Sequence, residues 1–176
     1  MKKYILGIIV IIAVIFVSGC ISNSDDVNNP QTLSKNGIII KYPGSWVVAN
    51  SQSNDSIASV ADPSSTNGSS DLAQINVNIE RREITSSLDS FHNQTYTQLF
   101  SNSDYQLIAQ GNLTVGDSNA LETIYTVNKN GTISQHRAVW IQKDNSVYVI
   151  LFTAPQSKFE SQNKNFEFIL GSFKIT

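Results

Sequence analysis

The chain has 176 residues with 12 basic and 14 acidic side chains, a formal charge of −2, 40% hydrophobic residues and a single cysteine, Cys20. That length suits one folded domain, and the hydrophobic share is enough to give it a core. The lack of basic excess argues against nucleic acid as a partner, and one cysteine excludes an internal disulfide, so the fold must be held by its core alone.

The N-terminus reads as an export signal. Lys2 and Lys3 precede an apolar run from Ile5 to Val17, and Val17-Ser18-Gly19-Cys20 closes it. The run has the length of a signal-peptide core and falls short of the roughly 18–20 residues of a membrane-spanning helix. Small Ser18 and Gly19 before a cysteine fit a lipoprotein signal. The expectation is cleavage before Cys20, lipid attachment to its thiol, and an extracytoplasmic body held at the cell membrane. The alternative is an uncleaved signal-anchor from Tyr4 to Ile21. Both place the body on the same side, because Lys2 and Lys3 stay inside while Asp25 and Asp26 follow outside. Without Lys2 and Lys3 the formal charge falls from −2 to −4, so the lipid and no polybasic patch would do the anchoring. The expected domains are a signal at 1–19, a lipidated Cys20 with a flexible tether at 20–36, and a globular body at 37–176. The tether assignment rests on Ser22–Asn36, which offers only Val27 and Leu33 as sizeable apolar groups.

The body opens with strands. Ile38–Tyr42, Trp46–Ala49 and Ile57–Ala61 are short apolar stretches separated by turn residues. Gln74–Glu80 alternates apolar and polar strictly, which predicts one face on a core and one in water. A helix follows, with Ser86 and Asp89 as a capping box and Leu88, Phe91, Thr95 and Leu99 along one face. Residues 105–153 form a four-stranded meander whose turns are Gly116-Asp117-Ser118, Asn130-Gly131 and Lys143-Asp144-Asn145-Ser146. Val147–Phe152 is apolar on both faces and should be central. Pro155 opens a second helix, with Phe159, Phe166, Ile169 and Leu170 facing the core and Gly171 placed as its cap; Phe173 and Ile175 form a closing strand. The fold class is α+β, an antiparallel sheet flanked by helices on both faces, in the order ββββ-α-ββββ-α-β.

Tyr42-Pro43-x-x-Trp46 on an early strand, the long meander, and the ending Phe166-x-x-Ile169-x-x-Ser172-Phe173 resemble the PsbP-like domain over Gly37 to Thr176. The resemblance implies an α/β/α sandwich and a non-enzymatic accessory or binding role. Photosystem-associated, Ran-binding and envelope-lipoprotein members share that architecture. It carries no binding residue over to this chain and implies no photosynthetic function.

Candidate chemistry is sparse. His92, read as a solvated helix residue, and His136, read as a strand-face residue, have no ligand-type neighbours at metal spacing, and no cofactor or metal is expected. There is no Gly-x-Ser-x-Gly elbow. Glu80 and Glu83 flank Arg81-Arg82, which suits surface ion pairing at a solvated strand end better than glycosidase chemistry. The polar stretch Asp62–Asp71 reads as a mobile loop without a calcium pattern. Sequons at Asn54, Asn67, Asn93, Asn112 and Asn130 allow N-glycosylation, although their number is near chance for this composition. Tyr42, Trp46, Tyr125, Trp140 and Tyr148 are core candidates that would form a docking surface if exposed. Two functions follow. The preferred one is a membrane-tethered module that docks on a protein or other envelope component. The alternative is an envelope small-ligand-binding protein or hydrolase, which requires two or more of Asp62, Asp71, Glu80, Glu122, His136 and Arg137 to converge in a pocket with shifted pKa values.

Overall fold

The structure is a computed structural model; it describes residues 27–66 and 72–176, with the backbone of 13 and 14. The signal run, Cys20, Asn67 and Asp71 lie outside the described residues, apart from the two-residue strand β1 (Ala13–Val14).

The chain first departs from expectation at β2 (Gln31–Lys35), inside the segment read as tether. It pairs with β3 (Ile38–Tyr42) in an antiparallel hairpin. The turn between them is Asn36-Gly37, whose φ values of 51° and 80° both lie in the left-handed region, as a two-residue hairpin turn requires. Only Leu33 of β2 is half-buried, so the strand is held by its ladder, that apolar contact and the Gln31 side chain, which donates to the Gly44 carbonyl and accepts from the Tyr42 hydroxyl. A hydropathy reading has little to find in such a strand.

A larger sheet follows. It contains β4 (Val47–Val48), β6 (Ser56–Ala61), β7 (Asn76–Glu83), β8 (Tyr105–Val115), β9 (Ser118–Lys129), β10 (Thr132–Lys143) and β11 (Ser146–Pro155). Its spatial order is β4-β6-β7-β11-β10-β9-β8, antiparallel throughout. The remaining short strand, β5 (Asn50–Ser51), pairs with β1 outside this sheet. The meander is as expected, with Asn130-Gly131 at φ 53° and 81°. β11 is the central strand, and Val147 to Ala154 are buried without a break.

The helices take opposite faces. α1 (Leu88–Leu99) is capped by Ser87, one residue later than predicted, whose hydroxyl accepts from the Ser90 N–H. α2 (Gln156–Ser172) follows Pro155 directly. It runs through Gly171 to Ser172, so Gly171 is a helical residue and Phe173 closes the helix. Under α2, Phe159, Phe166, Ile169 and Leu170 pack on Val139, Ile141, Ile150 and Phe152. Phe152 stacks on Phe166 at 5.3 Å between ring centroids. β12 (Lys174–Ile175) does not join the large sheet; it pairs with β3, giving a small sheet β12-β3-β2 that buries Ile38 and Ile40 in the same core. Ser172 ties this sheet to α2 by accepting from the Lys41 N–H at 2.8 Å.

Candidate functional site

The side of the sheet under α1 carries the unusual chemistry. Alternation along β7 sends Val77 and Ile79 to one face and Asn76, Asn78 and Glu80 to the other, as period-2 geometry dictates. The polar face is not in water, which corrects the sequence reading. Asn76 is 2% exposed, and Asn78 and Glu80 are 0% exposed. A carboxylate at that depth must be paired. Asn78 donates to Glu80 Oε1 at 3.2 Å and Arg82 donates to Oε2 at 2.7 Å. Arg82 Nε lies 3.1 Å from Asp55, and the Ser56 hydroxyl donates to Asn78 at 2.6 Å. The cluster Glu80–Arg82 is thus a buried internal network and not a solvated strand end. Arg81 and Glu83 stay at the surface, Glu83 accepting from the Ser146 hydroxyl.

Both histidines stand on this face. His92, expected in solvent, is buried under α1, where its Nε2 lies 2.8 Å from the Thr123 hydroxyl and its ring packs 4.7 Å from Tyr96 and 5.4 Å from Trp140. Burial lowers its pKa. His136 is half-buried on β10, stacked on Tyr125 at 4.9 Å, with Nδ1 3.0 Å from the Thr153 hydroxyl. Desolvation, helped by the positive charge of Lys129, pushes it down to about 4. Burial pushes the Tyr96 and Tyr125 hydroxyls up. Each imidazole is therefore neutral near pH 7 and is held by a hydroxyl and aromatic rings, which is the environment of a core residue.

The convergence that an enzyme would need is met only in its weakest form. Of the six residues considered, Glu122 and Arg137 form an ion pair at 2.6 Å, on the α2 face. Arg137 also donates to Asn163 at 2.9 Å, pairs with Glu167, and stands 5.1 Å over the Phe166 ring, so the guanidinium fastens α2 to the sheet. These partners raise its pKa. Glu80 lies on the opposite face, and Asp62 is engaged in its own turn, accepting from the Ser64 N–H and hydroxyl. Asp62 borders a groove of about 540 Å³ that reaches Lys158 at the start of α2. Among the described residues no three His, Cys, Asp or Glu side chains are grouped to hold a metal, and no helix is long and apolar enough to cross a membrane.

The strand aromatics are core residues, the first of the two readings the sequence allowed, and they form no docking surface. Tyr42, Trp46, Tyr125, Trp140 and Tyr148 are all buried, and Trp140 donates its indole N–H to Tyr96. Large apolar side chains are exposed elsewhere, at Val48, Leu107, Ile108 and Ile133. Hydropathy places such residues on strands but does not show whether another layer covers them, so the sequence did not mark them as exposed. Asn54, Asn93, Asn112 and Asn130 are exposed.

With the two-faced sheet and its helices in place, comparison with known proteins is decisive at the level of family. The sequence profile of the PsbP-like protein family matches residues 6–175. The chain belongs to the PsbP-like family. Its fold is similar to that of the cyanobacterial PsbP, CyanoP, from Synechocystis sp. PCC 6803, with a TM-score of 0.61 and 14% identity over 91% of this chain and 99% of that one. It is also similar to LpqN of Mycobacterium tuberculosis, a protein involved in cell envelope biogenesis, with a TM-score of 0.59 and 13% identity over 84% of this chain and 91% of that one. No curated protein sequence matches it significantly. At these identities the structural likenesses establish the fold alone.

Proposed function

We propose that this PsbP-like protein is a lipid-tethered, extracytoplasmic accessory module that binds a protein or other component of the cell envelope and catalyses no reaction. The observation that carries the tether is the 13-residue apolar run from Ile5 to Val17 ending at Ser18-Gly19-Cys20, too short to span and placed to be cut. The non-catalytic part is supported by the way the ionisable groups are used. Glu80, Arg82, Glu122 and Arg137 are committed to one another or to neighbouring elements, and both histidines are packed against rings. The envelope role of LpqN, which shares the fold, agrees with this placement.

The test is an in-cell crosslink of tagged full-length protein, followed by detergent extraction and affinity purification, with wild type compared against Cys20→Ser. The expected result is a partner recovered in near-equal amount with wild type, and a Cys20→Ser protein that leaves the membrane and loses the partner. Wild type extracted from the membrane alone would count against the accessory role and favour a small-ligand carrier using the groove beside Asp62.

A further inference from the structure

Asparagine is followed directly by glycine at Asn36-Gly37, Asn67-Gly68 and Asn130-Gly131. Asn67 and Gly68 lie outside the described residues. The other two pairs form turns of nearly identical backbone, with φ values of 51° and 80° in one and 53° and 81° in the other. Glycine has no Cβ to shield its amide nitrogen, so that nitrogen can reach the carbonyl carbon of the preceding asparagine side chain. The two turns therefore begin with the same intrinsic chemistry, and they differ in how the fold holds the asparagine. Asn36 is tied down: its Nδ2 donates to the Ile57 carbonyl at 2.7 Å, and the Gly37 carbonyl accepts from the Thr176 N–H at 2.9 Å. Asn130 stands at the tip of the β9–β10 hairpin, where Lys129, Gly131 and Thr132 are exposed with it. Its side chain makes no hydrogen bond within the described residues, and a Cβ on Gly131 would meet nothing. One restraint remains, the bond from the Gly131 N–H to Asn128 Oδ1 at 3.1 Å. Both of its partners are exposed, and a bond at a solvated hairpin tip opens in local fluctuations that leave the core intact.

We propose that Asn130 is a site of spontaneous deamidation, and that the fold protects Asn36 from the same reaction. The Gly131 nitrogen gives up its proton and bonds to Asn130 Cγ. The Cγ–Nδ2 bond breaks, and Nδ2 leaves as ammonia carrying that proton, so that a succinimide closes across the turn. Solvent water then opens the ring at either carbonyl, giving aspartate or isoaspartate. The net change consumes water and releases ammonia, with no oxidant, reductant or cofactor. Either product places a carboxylate beside Lys129. Isoaspartate also lengthens the backbone by a methylene inside a two-residue turn. The pairing of Thr132 with Lys129 depends on that spacing, so the isoaspartate form loosens the end of the hairpin.

The measurement is peptide mapping by mass spectrometry of the purified full-length protein, stored folded in mildly alkaline buffer at physiological temperature. The buffer is made in heavy-oxygen water, so that each ring opening during storage labels its product. The expected result is label entering the Asn130 peptide about tenfold faster than the Asn36 peptide, since the Asn36 amide must first break its bond to Ile57. In concentrated urea the fold no longer distinguishes the two sites, and the rates should converge. Asn130→Gln, whose longer side chain would have to close a larger ring, should abolish the label in that peptide and leave the Asn36 rate unchanged. Equal rates at the two sites in the folded protein would overturn the proposal. So would an Asn130 that stays unlabelled when folded yet reacts in urea, or label that persists in the Asn130→Gln variant and so belongs to another residue. None of these outcomes bears on the tether, which the Cys20→Ser comparison tests separately.

Discussion

Glu80 sets the energetics at the scale of single residues. A fully buried carboxylate bonded to Asn78 and Arg82 is tolerable only while both partners remain. Arg82→Met should therefore cost about 3 kcal/mol in urea unfolding, because it strands a charge in the core. Glu80→Gln should cost less, because an amide can still accept from Asn78 without an uncompensated charge. His136 adds a pH dependence. Its pKa in the folded protein lies near 4, below the ordinary 6.5, so between those values the unfolded chain binds the extra proton. The stability it contributes is complete above about pH 6.5 and is lost as the pH falls towards 4. His92 acts in the same direction. A thermal midpoint that declines over this window, and declines less in a His136→Gln variant, is the expected result.

At the scale of elements, the second helix is fastened by two different forces. Phe159, Phe166, Ile169 and Leu170 supply apolar burial, and Arg137 supplies hydrogen bonds to Asn163 and Glu167 across the helix–sheet seam. Phe166 takes part in both, since it stacks on Phe152 and lies beneath the guanidinium. Phe166→Ala should cost about 3–5 kcal/mol by equilibrium denaturation, at the level of a large core truncation. The hairpin turns predict a smaller effect. Gly131 sits at φ 81° with open space around it, so Gly131→Ala should destabilise by about 1 kcal/mol through backbone strain alone. Asn36-Gly37 is the same device, and the same two letters marked it in the sequence. It was passed over because the polar strand before it gave no hydropathy signal to pair with Ile38–Tyr42.

At the scale of the whole molecule, much of the chemistry that draws attention in the sequence is folded inward among the described residues. The aromatic strand residues became core, and the Glu80–Arg82 cluster became a buried network. What the described surface presents is an uncharged sheet edge at β8.

The sequence by itself determined the elements whose signal is local: the meander with its Asn-Gly turn, the doubly apolar β11, the two amphipathic helices, and the antiparallel α+β class that the PsbP-like family shares. Hydropathy and turn chemistry act over a few residues, and a chain displays them openly. The tertiary structure alone decided which face of a strand meets solvent and which strand lies at an edge. Alternation in β7 shows two faces but not that a second layer covers the polar one, and His92 looks solvated until α1 is laid against Trp140. The exposure of Leu107 and Ile108 follows only from the strand order, which places β8 last because β10 and β11 are drawn to the middle by apolar residues on both their faces. Burial of this kind is a property of packing between distant segments, and no window of sequence contains it.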